Sequence, residues 1–126
     1  MIGKNMAKIL NILVVDDDTE NADALAELFA SENHKVIVAY DGNQAIEAFK
    51  TNQVDLGFFD VMMPNKNGVE SFMEIRALNP AARIYFMTGF SSDVLLDKAR
   101  AHGALGVFDK PTDPSALLDV VDREAA

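Results

Sequence analysis

The chain has 126 residues, 49% of them hydrophobic, no cysteine, and a formal net charge of −9 from 20 acids against 11 bases. That length supports one domain with a real core, and the absence of cysteine excludes disulfides, zinc–thiolate centres and thiol catalysis. The acidic balance speaks against direct nucleic-acid binding, which needs a basic footprint to neutralise phosphates.

Residues 1–8 read as an N-terminal extension carrying Lys4 and Lys8. The apolar run after them is short, contains Asn11 and meets three acids, so it is neither a signal peptide nor a membrane span. A cytoplasmic protein that does not engage membranes is the expectation. The first strand is expected over 9–15 and runs into Asp16, Asp17 and Asp18. A helix over about 19–31 follows, with Ala22, Leu25, Leu28 and Phe29 on one stripe. The second strand, 35–40, leads to Asp41-Gly42 and to a helix marked by Ala45, Ile46 and Phe49. The third strand, 54–59, ends at Asp60, and a helix over about 67–78 puts Val69, Phe72 and Met73 on one face. The fourth strand, 82–88, ends in Thr88. Its helix, about 91–102, starts after Ser91 or Ser92 and stops at Gly103, a residue suited to the C-terminal cap. The fifth strand, 105–109, runs into Lys110-Pro111, and Asp113-Pro114 announces the last helix as N-cap and first helical residue. In that helix Leu117, Leu118, Val120 and Val121 form a band wider than one core stripe requires, which suggests a partner or dimer surface at its outer edge.

Strict strand–helix alternation with near-continuous apolar strands implies an α/β fold, a parallel five-stranded sheet with helices on both faces. Right-handed crossovers leave few topologies, and the doubly wound (βα)5 order 2-1-3-4-5, flavodoxin-like, is the natural choice. Ligands of such sheets bind beyond the carboxyl ends of the strands, where the strand order reverses. There the sequence places Asp16, Asp17, Asp60, Thr88 and Lys110. Crowded carboxylates resist ionisation unless a cation relieves them. Mg²⁺ with Lys110 would neutralise Asp16, Asp17 and Asp60, and carboxylates with phosphate oxygens are the usual ligands of that ion. The inventory fits phosphoryl transfer with Asp60 as the nucleophile of an acyl phosphate. Asp18 reads as a helix cap.

The motifs "ILVVDDD", "FFDVMMPNKNG", "FMTGF" and "VFDKP" together resemble the receiver domain of two-component response regulators, in that family's order and spacing over residues 9–124. The resemblance implies a single receiver domain, not an enzyme in the ordinary sense, with no output domain in this chain. It implies that Asp60 accepts a phosphoryl group from a sensor histidine kinase or a histidine phosphotransfer protein. Asp17 would ligate Mg²⁺, or Mn²⁺ in its place, directly, Asp16 would do so through water, and the backbone carbonyl of Met62 would complete the site. Thr88 would hydrogen-bond the phosphoryl oxygens and Lys110 would pair with their charge. Pro111 is similar to the family's cis-proline, and Pro64 and Gly68 match its turn. Signalling would pass to an unidentified downstream protein, or to a homodimer, through the fourth helix, fifth strand and fifth helix.

Val107 stands where the family usually has Tyr or Phe, and neighbouring Phe108 should point to the opposite face of the sheet. Met62 and Phe90 flank the phosphoryl site where relatives carry polar residues, so slow self-dephosphorylation is expected. The rival reading is a haloacid-dehalogenase-like phosphatase with an aspartate nucleophile, for which Asp16 and Asp18 give a DxD spacing. Glu20 replaces the Thr or Val expected two residues later, and the chain lacks room for a cap. A flavodoxin-like carrier would need phosphate-cradling donors after the first strand, where this chain has three carboxylates.

Overall fold

A computed structural model describes residues 8–89 and 93–126. Five strands and five helices alternate: β1 Asn11–Val15, α1 Thr19–Ser31, β2 Lys35–Ala39, α2 Gly42–Thr51, β3 Leu56–Asp60, α3 Gly68–Leu78, β4 Ile84–Thr88, α4 Asp93–Ala101, β5 Gly106–Asp109 and α5 Pro114–Ala125. All strand pairings are parallel and the order is β2-β1-β3-β4-β5. The expected class, order and number of elements therefore hold, with β2 starting at Lys35 as expected and the other four strands one or two residues later than the apolar runs suggest. Ser91 and Ser92, the expected start of the fourth helix, and Phe90 lie outside the described residues, as do residues 1–7 of the N-terminal extension. Lys8 of that extension is tied down, its N–H donating to Ala125 O at 2.8 Å.

Helices α1, α2, α3 and α5 begin where a short polar side chain satisfies free N–H groups of the first turn. Asp18, Asp41 and Asp113 cap α1, α2 and α5, accepting from the N–H groups of Asn21, Gln44 and Ser115 respectively. Asn67 and Glu70 form a reciprocal capping box on α3. The C-terminal end of α4 closes as the sequence indicated. Gly103, at φ +95°, takes the left-handed conformation. The N–H groups of Ala104 and Gly103 reach back to Ala99 O at 3.0 Å and Arg100 O at 3.1 Å, the two bonds of a Schellman cap.

Strand alternation divides the core in two. Leu13, Val15, Phe59 and Phe86 face α2, α3 and α4 in one cluster. Ile12, Val14, Leu56 and Phe58 face α1 and α5 in the other, where Phe29, Phe58 and Tyr85 stack. Every residue of β3 is buried, as expected of a central parallel strand. Gly57 lies in that strand because a Cβ there would sit 2.8 Å from the Phe59 ring, so the glycine makes room for an aromatic two residues on.

The band on α5 does not form the outer edge expected of it. Leu117, Val120 and Val121 are buried and Leu118 is packed against the same cluster. The helix lies over strands whose facing side chains are broad aromatics, and that surface absorbs a wider stripe than a single row would. Val107 and Phe108 do separate to opposite faces, packing against the first and the second cluster respectively.

Arg76, in the last turn of α3, fastens three segments together. Its guanidinium donates to Pro80 O at 2.6 Å, His102 O at 3.0 Å and Gly103 O at 3.2 Å, and lies 5.0 Å from the centre of the Phe72 ring. Charge-assisted bonds to the free carbonyls of a helix end are worth more than neutral ones, although solvent access reduces them. Arg76→Ala should therefore lower stability by about 1–2 kcal/mol. Urea unfolding is the measurement, and an unchanged midpoint would contradict the role assigned to the clamp.

Candidate functional site

The parallel register carries the polar residues to one edge of the sheet. Val15 pairs with Phe59 and Asp60 pairs with Met87, so Asp16, the residue after β1, stands beside Asp60 at the end of β3. Two backbone bonds extend the ladder past the strand ends, from Asp16 N–H to Ala39 O at 3.1 Å and from Val61 N–H to Met87 O at 3.1 Å. On the other flank Thr88 pairs with Asp109, and Lys110 N–H donates to Thr88 O at 2.8 Å. The Lys110–Pro111 peptide is cis, as the resemblance implied.

Asp16 and Thr88 are buried outright and Asp60 is only 5% exposed, which is unusual for carboxylates unless they are paired. The pairing is supplied by Lys110, whose Nζ lies 2.8 Å from Asp16 Oδ2 and 3.4 Å from Asp60 Oδ1. Asp16 is held further by the backbone N–H of Asp18, which donates to Oδ1 at 3.0 Å, and by the Asn21 side-chain amide, which donates to Oδ2 at 3.1 Å. Asp17 is exposed at the rim. One oxygen from each of Asp16, Asp17 and Asp60 falls within 4.8 Å of the others. Three hard oxygen donors so close together, partly open to water, suit a small divalent cation such as Mg²⁺.

The electrostatics follow from this burial. Desolvation, and next the neighbouring Asp16 charge, push the Asp60 carboxyl up to about 6, against the opposing pull of Lys110. For Lys110 burial works against the ammonium, but the bond to Asp16 and the charges of Asp60 and Asp16 outweigh it and raise its pKa. The site without metal thus holds more negative charge than one lysine can compensate.

The loop between β3 and α3 sets the back wall. Gly68 N–H donates to Val61 O at 2.8 Å, and a Cβ on Gly68 would fall 2.0 Å from Asp60 O, so only glycine lets α3 begin this close to the acid. Asn65 turns the loop with φ 69°. Met62 lies in this loop and is 49% exposed, whereas Met63 is buried. Of the residues singled out from the sequence, Asp16, Asp60, Thr88 and Lys110 meet at the strand ends and Asp17 borders them. Asp18 is turned to helix capping, as expected. Sequence reasoning missed Asn21 as a partner of Asp16. Its only signal was position, three residues past the cap on the helix that leaves the acidic strand end.

A family model described as "Response regulator receiver domain" matches residues 12–122. The transcriptional regulatory protein ZraR of Salmonella typhimurium is 36% identical over 117 residues, which is 93% of this chain and 26% of that protein. The chain thus spans about a quarter of the length of that curated relative. A receiver domain protein from Methanospirillum hungatei superposes with a TM-score of 0.89 at 24% identity, covering 94% of each chain. A CheX–CheY–BeF3–Mg²⁺ complex from Borrelia burgdorferi gives a TM-score of 0.85 at 25% identity, covering 94% of this chain and 95% of that one. No helix among the described residues is long and apolar enough to cross a membrane.

Proposed function

Because this chain belongs to the response regulator receiver domain family, we propose that Asp60 is its phosphoacceptor and that phosphorylation there is its signal. The donor is a phosphohistidine on a sensor histidine kinase or a histidine phosphotransfer protein. An Asp60 carboxylate oxygen attacks phosphorus, the phosphorus–nitrogen bond breaks, and the departing imidazole takes up a proton. The product is an acyl phosphate on a side chain that the sheet holds still.

The carrying observation is the meeting of Asp16, Asp17 and Asp60 within 4.8 Å, with Lys110 bridging Asp16 and Asp60. Asp17 would hold Mg²⁺, or Mn²⁺ in its place, directly, with Asp16 acting through water and the Met62 carbonyl as a further oxygen. The bound ion supplies charge neutralisation for the incoming phosphoryl oxygens. Lys110 pairs with the new dianion and Thr88 donates its hydroxyl to a phosphoryl oxygen. Both residues lie at the junction of β4 and β5, so the new charge acts on the α4–β5–α5 face, through which a downstream protein or a second copy would read the state. With Val107 in place of an aromatic, no ring at that position takes part in the reading. The related Borrelia structure, solved with BeF3 and Mg²⁺, supports the same chemistry here. The phosphatase reading is disfavoured, since the Asp18 carboxylate it needs caps α1 through Asn21 N–H at 3.2 Å.

Acetyl phosphate with Mg²⁺ followed by intact mass should show one added phosphoryl group, absent when Mg²⁺ is chelated and absent in Asp60→Ala. No adduct with a competent donor would overturn the reading, and steady hydrolysis of a phosphate ester would favour the phosphatase.

A further inference from the structure

Two side chains donate to the same oxygen of Asp16, and they are built differently. Lys110 Nζ, at 2.8 Å from Oδ2, ends a flexible four-carbon stem and is shared with Asp60 at 3.4 Å. Asn21 Nδ2, at 3.1 Å, belongs to the first turn of α1, where Asp18 caps the Asn21 N–H. Its amide does not serve the helix; it crosses to the strand end. Asn21 is exposed whereas Asp16 is fully buried, so this contact joins a surface residue to the floor of the acidic cluster.

We propose that Asn21 is a positioning residue for Asp16, holding that carboxylate toward the cation pocket whether or not Lys110 is paired with it. The proposal rests on the receiver reading of the site given above and names a residue that reading does not use. The physical need arises from Lys110 having two possible partners. Any anion bound at Asp60 competes for the ammonium, and a buried carboxylate oxygen that loses its donor must turn or remain unsatisfied. Asp16 Oδ1 is fixed by the Asp18 N–H at 3.0 Å, and Asn21 fixes Oδ2. With both oxygens held by donors of α1 and its cap, Lys110 can leave without rotating the carboxylate. Partners that orient a metal-binding carboxylate typically change metal affinity by 10–100-fold when removed.

The test is Mg²⁺ titration calorimetry on the unphosphorylated protein, with unfolding in EDTA measured alongside. Asn21→Leu and Asn21→Ala both delete the donor at a solvent-facing helical position, and Asn21→Gln returns an amide. The expected result is Mg²⁺ binding about 10-fold weaker in the Leu and Ala variants, recovered at least in part by Gln, with folding in EDTA close to that of the parent. Asp17→Asn serves as the reference. If it binds Mg²⁺ weakly while Asn21→Leu and Asn21→Ala bind as tightly as the parent, the role of Asn21 is overturned and the metal site stands. If Asp17→Asn also binds like the parent, the metal reading falls and the proposal falls with it. A change in unfolding alone, with unchanged Mg²⁺ affinity, would leave Asn21 as an ordinary helix residue and refute the assignment.

Discussion

Asp60→Asn is expected to abolish phosphoryl acceptance and, at the same time, to make the metal-free fold more stable by about 2 kcal/mol at pH 7.5. The loss of acceptance follows because a carboxamide is a poor nucleophile and Asp60 is the proposed phosphoacceptor. The gain in stability follows from burial. Asp60 is 5% exposed and its carboxyl is pushed up to about 6, by desolvation first and by Asp16 next. In the unfolded chain the same group titrates near 4. The folded protein therefore holds a proton that the unfolded chain releases between roughly pH 4 and 6. Above pH 6 the ionised group costs the fold about 1.4 kcal/mol per unit of displacement, a displacement that already includes the opposing pull of Lys110. As pH falls through 6 toward 4 the cost is relieved, and below 4 both states are protonated and nothing remains. The stability difference between Asp60→Asn and the parent, measured by urea unfolding in EDTA, should be largest at pH 7.5 and small by about pH 4.5. Other carboxylates titrate over the same range, so the difference between the two proteins is the quantity to follow. A variant less stable than its parent at pH 7.5 would show that Asp60 contributes to folding rather than burdening it. Saturating Mg²⁺ should stabilise the parent and close most of the gap, because the ion relieves the same repulsion.

Lys110→Ala should act in the opposite direction. It removes the ammonium between Asp16, which is fully buried, and Asp60, and leaves both without their cation. Breaking a fully buried pair by deleting one partner costs about 3–5 kcal/mol. The Lys110 side chain keeps 22% exposure, so water can partly replace it, and a loss of about 2–3 kcal/mol is expected. The pKa of Lys110 lies above its ordinary value, mainly through Asp16 and Asp60 acting against burial. Its contribution is thus complete below the usual lysine range and disappears only as pH rises through the raised value. The Lys110 effect should therefore be flat from pH 7 to 9, and it is the Asp60 effect that changes, between about pH 4 and 6. Mg²⁺ should recover more stability in Lys110→Ala than in the parent, since it then supplies the missing positive charge. Phosphorylation by acetyl phosphate should slow by about 100-fold, as when one preorganised donor to a developing anion is removed. Full stability of Lys110→Ala in EDTA would contradict the pairing argument.

Much of this protein could be read from its residues in order. The apolar runs around Val14, Phe58 and Phe86, separated by helical stripes, can be buried only as a parallel sheet covered on both faces, because strands apolar on both sides tolerate no solvent-facing surface. Short caps such as Asp18 and Asp113 are local devices, and so is Gly103; each depends on a few neighbours and is legible where it stands. The candidate site was legible for a related reason. A parallel sheet delivers the residues after its strands to one edge, so Asp16, Asp60, Thr88 and Lys110 could be grouped before any distance was known.

What the sequence could not supply is the choice among partners far apart in the chain. Asp16 and Lys110 are 94 residues apart, and nothing local states that Lys110 prefers Asp16 at 2.8 Å over Asp60 at 3.4 Å. Nor does it state that Asn21 shares the same oxygen, or that Arg76 reaches the carbonyls beyond α4. The broad band on α5 looked like a spare surface until the facing aromatics of the sheet were known to cover it, and Gly57 had no explanation until the Phe59 ring filled its place. Periodicity and caps are set by neighbours along the chain, so the sequence determined the elements, their order and the edge where the chemistry gathers. Pairing, burial and the width of an apolar face depend on which surfaces meet after folding. Only the tertiary structure decided those, because a charge or a ring takes its partner from space and not from sequence distance.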